Sequence, residues 1–293
     1  LVGRPSMKPR DVWATRMGVI LAMAGNAIGL GNFLRFPSQA AQNGGGVFMI
    51  PYFVALVLIG IPLMWCELAM GRLGGASQRG SSPGVFDLLW KHPFAKYLGA
   101  LGIVLPIAVM IYYCYIESWT LAFAFFSVAE SYFGHTAQDA MRQFLHHFQG
   151  VDQAWGVSFA AYFFFLLTMA LNYLVLSGGI ARGIERLANI GMPLLFVMAL
   201  VLVARVFTLG TPDPAHPENN VLNGFGFIWN PDFSRLRNAK VWLAAAGQIF
   251  FTLSVGFGAM QCYARYLRRR DDIVITGLST AMINEFAEVI LGG

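Results

Sequence analysis

The sequence predicts an all-helical integral membrane protein in which two of the membrane spans are interrupted near their centres. Hydrophobic residues make up 57% of the 293 residues and charged residues only 12%, against about 25% charged residues in soluble domains. The mean hydropathy is +0.58, and the apolar runs are continuous, which favours helices over the alternating strands of an outer-membrane barrel. Glycine and small polar residues interrupt two of these runs, at residues 25–32 and 252–258.

Charge is distributed as in a protein that crosses the membrane several times. The 20 basic residues outnumber the 15 acidic ones, but they gather in short segments between apolar runs, which does not favour nucleic-acid binding. If the N-terminus is cytoplasmic, fourteen of the twenty fall in cytoplasmic segments, as the positive-inside rule requires. We therefore expect a multi-pass membrane protein with a cytoplasmic N-terminal arm at residues 1–12.

A transmembrane domain is predicted over residues 13–293. Its spans are expected at about residues 13–41, 47–70, 97–129, 156–176, 187–207, 241–267 and 273–293. The third exceeds the ~20 residues that a bilayer requires, which predicts a tilted or projecting helix. The polar segment at 130–155 is expected to be an exterior loop with some helix. Three cysteines, Cys66, Cys114 and Cys262, lie inside apolar runs, so neither a disulfide framework nor a cysteine metal site is predicted.

The first span contains a polar, glycine-rich interruption. It is formed by Gly25, Asn26, Gly29, Gly31 and Asn32. Backbone in hydrocarbon must satisfy its own hydrogen bonds, so an unwound segment survives there only if it is buried in protein or lines a cavity. Freed carbonyls can bind a cation, and the amides of the half-helix that begins near Leu30 can bind an anionic group. The interruption therefore predicts a binding site.

The sixth span repeats this pattern. Thr252, Ser254, Gly256 and Gly258 cluster near its centre. One such stretch is typical of close helix packing through small residues. Two interrupted spans, five helices apart and crossing in opposite directions, instead predict an inverted-repeat bundle whose broken helices form a central site.

Six segments carry a family resemblance. They are WATRMGVILAMAGNAIGLGNFLRFP, NGGGVFMIPY, GIPLMWCELAMGR, IYYCYIESWTLAFA, GQIFFTLSVGFGA and NEFAEVILGG. They closely resemble the bacterial leucine-transporter branch of the neurotransmitter:sodium symporter family. The resemblance implies a symporter that couples sodium entry to amino-acid uptake by alternating access. It also implies that the chain supplies the first repeat, span six and part of span seven, and that the C-terminal half of the transporter is absent.

A substrate pocket follows from the resemblance. Its residues would be Asn26, Ala27, Leu30 and Gly31 in span one, Val109 and Tyr113 in span three, and Phe251, Thr252, Ser254 and Phe257 in span six. Amides near Leu30 and the Tyr113 hydroxyl would bind a carboxylate, and Ser254 with freed carbonyls would bind an ammonium group. The apolar members predict a small or medium apolar side chain, although each aromatic residue taken alone is equally typical of core packing. Gly29 stands where amine-transporting relatives carry an aspartate, which implies a free amino acid.

Two sodium sites are also implied by the resemblance. The first would comprise the Ala27 carbonyl, Asn32, Thr252, Asn284 and the substrate carboxylate. The second would use the carbonyls of Gly25 and Ile28, with its other ligands beyond Gly293. Such all-oxygen, mostly neutral sets suit a hard cation.

Charged and aromatic residues near the span ends resemble the gates of the family. The resemblance assigns Arg10, Trp13 and Tyr266 to an inner latch, and Arg35 with Gln248 to an outer gate. Arg265 departs from the family, because a small hydroxyl residue is expected there. Glu67 and Glu117 resemble carboxylates that brace the broken helices.

Glu288 stands where chloride-dependent members carry a serine. It follows Asn284 by one helical turn and lies on the same face. A permanent negative charge there would replace chloride, which predicts chloride-independent transport. The alternative is a glutamate that only braces helices.

No enzyme is predicted. The chain contains no HExxH, GxSxG or Walker motif. A proton-coupled amino-acid permease of the same architecture is the main alternative, and it would show uptake that ignores sodium. A channel would show currents that far exceed coupled flux. The expected partners are the amino acid and the lipid bilayer, with no nucleic acid, and a homodimer is left open.

Overall fold

The computed structural model describes residues 12–134, 138–151, 156, 158–211 and 215–293, and all regular secondary structure in these ranges is helical. Most of the N-terminal arm, including Arg10, lies outside the described residues. The chain divides into two compact units, one comprising Leu1–Ile103 with Ile180–Gly293 and the other Val104–Gly179.

The described helices follow the order that the apolar segments predict. They are α1 (Arg16–Ala27), α2 (Gly31–Gln42), α3 (Gly46–Ala76), α4 (Ser82–Leu89), α5 (Ala95–Val128), α6 (Gln138–Gln149), α7 (Phe159–Ser177), α8 (Ile180–Phe207), α9 (Val221–Trp229), α10 (Ala239–Thr252), α11 (Ala259–Ala264) and α12 (Ile273–Gly292). Within the described ranges, α3, α5, α7, α8 and α12 are each long and apolar enough to cross a membrane, and the bent pair α1–α2 adds a sixth span. The all-helical membrane class is thereby confirmed.

The first interruption separates α1 from α2. Helix α1 begins after Thr15, whose hydroxyl accepts a hydrogen bond from the Gly18 amide at 2.9 Å. It ends at Ala27, and α2 is inclined to it by 46°. The Gly29 amide donates to Asn32 Oδ1 at 2.8 Å. A side chain of the same span therefore satisfies the backbone that the break exposes.

The second interruption separates α10 from α11 and covers residues 253–258. Three of these residues have a positive φ: 52° at Ser254, 84° at Gly256 and 79° at Gly258. Glycine adopts this conformation at little cost, whereas a serine there is strained and is typical of functional sites. Both predicted interruptions are confirmed.

One apolar core holds the two interrupted spans together. Among its fully buried members are Met23, Phe36, Phe48, Tyr52, Met64, Leu68, Ile249, Leu253 and Met260. They come from α1, α2, α3, α10, α11 and the second interruption. The core therefore places the two breaks next to each other.

Helix α3 continues to Ala76, six residues past the position where the sequence predicts its end. Gly71, Gly74 and Gly75 are buried in this extension. A Cβ on Gly71 would lie 2.7 Å from the Cβ of Ala264. Gly71 therefore allows close helix packing against α11, and Gly74 allows close packing against Val85 of α4, so these glycines do not end the helix as they would in a loop.

The second unit consists of most of α5 with α6 and α7. Its core contains Ala122, Phe148, Ala161 and Phe164. In the same unit, Asn172 Nδ2 donates to Glu117 Oε2 at 2.9 Å. Helix α6 supplies the helix that was expected in the polar segment at 130–155.

Candidate functional site

Four buried polar side chains meet where the two breaks approach α12. They are Asn32, Thr252, Asn284 and Glu288, none more than 1% exposed. The Asn32 side-chain amide donates to Thr252 Oγ1 at 3.1 Å, to Asn284 Oδ1 at 2.9 Å and to Glu288 Oε2 at 2.9 Å. The Thr252 hydroxyl donates to Glu288. The side-chain amide of Asn32, in the second half of span one, therefore links span six to α12.

The carboxylate of Glu288 is held by neutral donors. Besides Asn32 and Thr252, Gln248 Nε2 donates to Glu288 Oε1 at 2.7 Å. Burying an ionised carboxylate is costly unless a cation compensates its charge. The oxygens of Thr252 and Asn284, 3.4 Å apart, offer hard ligands for such a cation beside Glu288.

The backbone at the first break also exposes carbonyl oxygens. In a continuous helix the Gly29 amide would donate to the Gly25 carbonyl, but here it donates to Asn32 Oδ1. The next carbonyl, of Asn26, accepts a hydrogen bond from Ser254 Oγ at 3.2 Å. The Gly25 carbonyl, which is predicted to bind sodium, therefore lacks its helical partner at the end of α1.

Around this cluster lie most of the residues that the sequence predicts for the pocket. Ala27 and Gly31 are buried, whereas Leu30, Phe251 and Phe257 are half-buried. A Cβ on Gly31 would lie 3.0 Å from the Phe251 ring, so the glycine allows this ring to lie against the break. In the described part of the chain, the buried Asn26 Nδ2 has no hydrogen-bond acceptor. That amide is available to a ligand.

Val109 and Tyr113 lie one turn apart on α5 in the second unit. Both are half-buried, and the Tyr113 ring contacts the Tyr112 ring edge-on with centroids 6.4 Å apart. Their membership of the pocket stays a prediction.

The predicted outer-gate residues contact each other. Arg35 donates to Gln248 Oε1 at 2.5 Å, and Gln248 Nε2 donates to the Gly31 carbonyl at 3.1 Å. The Arg35 guanidinium also lies 4.7 Å from the centre of the Phe251 ring, within reach of a cation–π interaction. Gln248 thus links the arginine to the Glu288 cluster.

At the other end of α1, Trp13 contacts the end of span six. Its indole donates to the Tyr263 carbonyl at 3.0 Å, and the two rings stack with centroids 5.6 Å apart. The Trp13 amide donates to the Tyr266 carbonyl at 3.4 Å. The Arg265 guanidinium lies 5.5 Å from the centre of the Tyr266 ring. The two described members of the predicted inner latch therefore meet through the main chain.

Glu67 braces the second break, as the resemblance implies. Its Oε1 accepts a hydrogen bond from the Gly256 amide at 2.5 Å, across 189 residues of chain. Glu117, expected in the same role, instead bonds Asn172 within the second unit.

Two buried acids, one at the start of α1 and one beside Asn284, have contacts that the sequence analysis missed. Glu185, 2% exposed, accepts hydrogen bonds from the Ala14 amide at 2.8 Å, the Thr15 amide at 3.0 Å and the Thr15 hydroxyl at 2.8 Å. Glu285 accepts from the Tyr52 hydroxyl at 2.8 Å. The sequence feature that could have indicated a role for Glu185 is that it is a single acidic residue in the short basic turn that contains Arg182 and Arg186.

Comparisons with known proteins identify the family to which the chain is similar. A sequence model of the sodium:neurotransmitter symporter family matches residues 10–138 and 133–292. An uncharacterized sodium-dependent transporter of Methanocaldococcus jannaschii is 35% identical over 283 residues, which cover 95% of this chain and 54% of the relative. The mouse sodium-dependent neutral amino acid transporter B(0)AT1 is 27% identical over 299 residues, 96% of this chain and 45% of the relative.

A solved structure shows the same fold. The crystal structure of MhsT in complex with L-phenylalanine superimposes with a TM-score of 0.81 at 30% identity, over 97% of this chain and 60% of MhsT. The chain thus spans about half the length of the curated relatives that it matches. The family match covers almost all of its residues, and the chain belongs to the sodium:neurotransmitter symporter family.

Proposed function

We propose that the full-length protein is a sodium-coupled symporter that imports small or medium apolar amino acids by alternating access. The observation that carries this proposal is the buried cluster of Asn32, Thr252, Asn284 and Glu288, where both interrupted spans meet α12. Its hard oxygen ligands suit sodium better than a soft metal. A monovalent cation beside Glu288 would neutralise the charge of the buried carboxylate. This supports coupling of amino-acid binding to sodium binding.

Two sodium ions are co-transported substrates in this proposal. The first is bound by the Ala27 carbonyl, Asn32, Thr252 and Asn284, together with the carboxylate of the amino acid. The second is bound by the carbonyls of Gly25 and Ile28 and by ligands beyond Gly293. The bond from the Gly29 amide to Asn32 supports the second site, because it removes the helical partner of the Gly25 carbonyl.

The amino acid would bind across the two breaks. Amides near Leu30 and the Tyr113 hydroxyl bind its carboxylate, and the Asn26 carbonyl with Ser254 lies on the side of its ammonium group. Phe251 and Phe257, together with Val109, surround an apolar side chain. The names of two relatives point the same way, because one is a neutral amino acid transporter and the other was crystallised with L-phenylalanine.

Gates at both ends of the pathway would alternate. Arg35 and Gln248, in contact at 2.5 Å, form part of the outer gate. Arg10, Trp13 and Tyr266 form part of the inner latch, supported by the main-chain bond between Trp13 and Tyr266. The distribution of basic residues supports a cytoplasmic N-terminus, and the resemblance to the bacterial branch of the family supports a bacterial inner membrane.

Chloride would not be required. Glu288 supplies a fixed negative charge within hydrogen-bond distance of Asn32, Thr252 and Gln248. A cation-rich site of low dielectric requires such a charge. A mobile anion is therefore redundant as long as Glu288 is ionised.

Uptake by the full-length protein in proteoliposomes tests the proposal. Radiolabelled leucine, alanine or phenylalanine should accumulate when an inward sodium gradient is applied, and accumulation should stop when choline replaces sodium. A monoamine should not compete. Equal uptake in choline under a proton gradient would overturn the proposal in favour of a proton-coupled permease.

A further inference from the structure

The turn between α4 and α5 exposes an unusual row of aromatic rings. Trp90, His92, Phe94 and Tyr97 follow one another with centroid distances of 4.8, 6.1 and 6.1 Å. Three of them are large and lie open to the surroundings: Trp90 is 48% exposed, Phe94 64% and Tyr97 63%. Exposed apolar patches of this kind mark interaction surfaces.

Short-range hydrogen bonds keep the row in place. The His92 amide donates to the Trp90 carbonyl at 2.8 Å, and the Ala95 amide donates to the His92 carbonyl at 2.9 Å. The Phe94 amide donates to His92 Nδ1 at 3.2 Å. Below the turn, a Cβ on Gly99 would lie 2.6 Å from Pro83 Cα, so α5 packs closely on the start of α4. The rings are therefore presented by a fixed corner.

Positive charge accompanies the rings. Lys91 and Lys96 are exposed, and Lys96 Nζ lies 5.2 Å from the centre of the Tyr97 ring. The sequence from Leu88 to Ile116 contains no acidic residue. The nearest acid before it, Asp87, forms an ion pair with Arg79 at 2.7 Å. The corner is therefore apolar and cationic without a competing carboxylate of its own.

The corner directly precedes a predicted membrane span, which indicates that it contacts lipid. Helix α5, which is long and apolar enough to span the membrane, begins at Ala95. The rings precede this span directly, and tryptophan and tyrosine are the residue types that concentrate at the edge of the hydrocarbon, where they contact lipid headgroups. Lysines at this depth attract anionic headgroups. Leu98 and Leu101, 47% and 55% exposed on α5, continue the apolar surface along the depth of the acyl chains.

We propose that this aromatic-basic corner binds an anionic phospholipid in preference to a zwitterionic one. Its residues are Trp90, Lys91, His92, Phe94, Lys96 and Tyr97. The lysines contact the phosphate, the rings lie at the level of the glycerol and upper acyl chains, and Leu98 and Leu101 contact the chains below. This inference is independent of the transport cycle proposed above.

Tryptophan fluorescence of the full-length protein in lipid nanodiscs tests the proposal. Nanodiscs contain phosphatidylcholine and phosphatidylglycerol in fixed proportion, with bromine, a short-range quencher, on the acyl chains of one lipid or the other. The signal of Trp90 is obtained by subtracting the Trp90→Phe variant. Brominated phosphatidylglycerol should quench it more strongly than brominated phosphatidylcholine at the same mole fraction.

Charge variants identify the cause of the preference. In a Lys91→Gln/Lys96→Gln variant the preference for phosphatidylglycerol should fall by roughly fivefold per lysine, and high salt should weaken it in the wild type. Lys240→Gln is the matched control, because Lys240 is an exposed lysine at the start of α10, away from this corner. Equal quenching by the two lipids, a preference unchanged by the double substitution, or no quenching by either lipid would overturn the proposal. The last result would mean that another part of the protein covers the corner.

Discussion

The two interruptions in the membrane spans are stabilised by different means. The first lies between Ala27 and Gly31, and its exposed Gly29 amide is bound by Asn32 three residues later at 2.8 Å. The second covers residues 253–258 with three positive φ angles, and its Gly256 amide is bound by Glu67 on another helix. The freed amide of the first break is satisfied within its own span, whereas that of the second relies on α3.

This difference has a consequence for stability and for movement. A local hydrogen bond persists when neighbouring helices shift, because donor and acceptor move together. A bond that crosses between helices persists only as long as the two helices keep their relative position. We therefore expect the second break to depend on the position of α3 and the first to depend mainly on Asn32.

The largest effect is expected for Asn32→Ala, which removes the local bond and the amide that joins the two breaks to α12. Hydrogen bonds to charged groups contribute about 1.5–3 kcal/mol each. The sodium concentration for half-maximal uptake by the full-length protein should therefore rise by roughly a hundredfold. Asn43→Ala, at the end of α2, is the matched control and should leave it unchanged. An unchanged sodium dependence in Asn32→Ala would show that Asn32 only caps the local backbone and does not contribute to sodium binding.

A smaller effect is expected for Glu67→Ala at the second break. The Gly256 amide would lose its bond to a charged acceptor, which should lower the free energy of unfolding by about 1.5–3 kcal/mol. Thermal unfolding of the full-length protein in detergent measures the change. Glu67→Gln retains an oxygen acceptor and should be much less affected. If both variants unfolded at the same temperature as the wild type, the bond between Glu67 and Gly256 would not contribute to stability.

A conditional effect is expected for Glu288→Ser, because Glu288 contacts both interrupted spans. Wild-type uptake should be the same when gluconate replaces chloride. The serine variant should lose most of its uptake in gluconate and recover it in chloride, because a bound anion then supplies the missing charge. Glu218→Ser, in an exposed loop, is the matched control. A serine variant indifferent to chloride would mean that Glu288 only braces helices.

The smallest effect is expected at the helix starts that precede the two breaks. Thr15 caps α1 and also bonds Glu185, whereas Asn238 caps α10 and its side chain binds the Lys240 amide. Loss of a cap costs about 0.5–2 kcal/mol. Thr15→Ala should therefore be less stable than Asn238→Ala by about 1.5 kcal/mol, the low end for a bond to a charged group, because two backbone amides still bind Glu185. Equal thermal unfolding of the two variants would show that Glu185 does not stabilise the start of α1.

The sequence alone determined the features that depend on neighbouring residues. Apolar runs marked the spans, and the glycines at 25–32 and 252–258 marked both breaks, because glycine lowers helix stability wherever it stands. Helical periodicity likewise put Glu288 on the face of Asn284. These predictions required no knowledge of which helices are neighbours.

Only the tertiary structure decided which distant groups meet. The bonds from the Ala14 and Thr15 amides to Glu185, from Tyr52 to Glu285 and from the Gly256 amide to Glu67 connect residues more than 150 positions apart. The continuation of α3 to Ala76 was equally hidden, because its glycines are typical of a loop until a neighbouring helix packs against them. Periodicity assigns a residue to a face of its helix, but only the packing of that face against another helix determines the partner of a buried polar group.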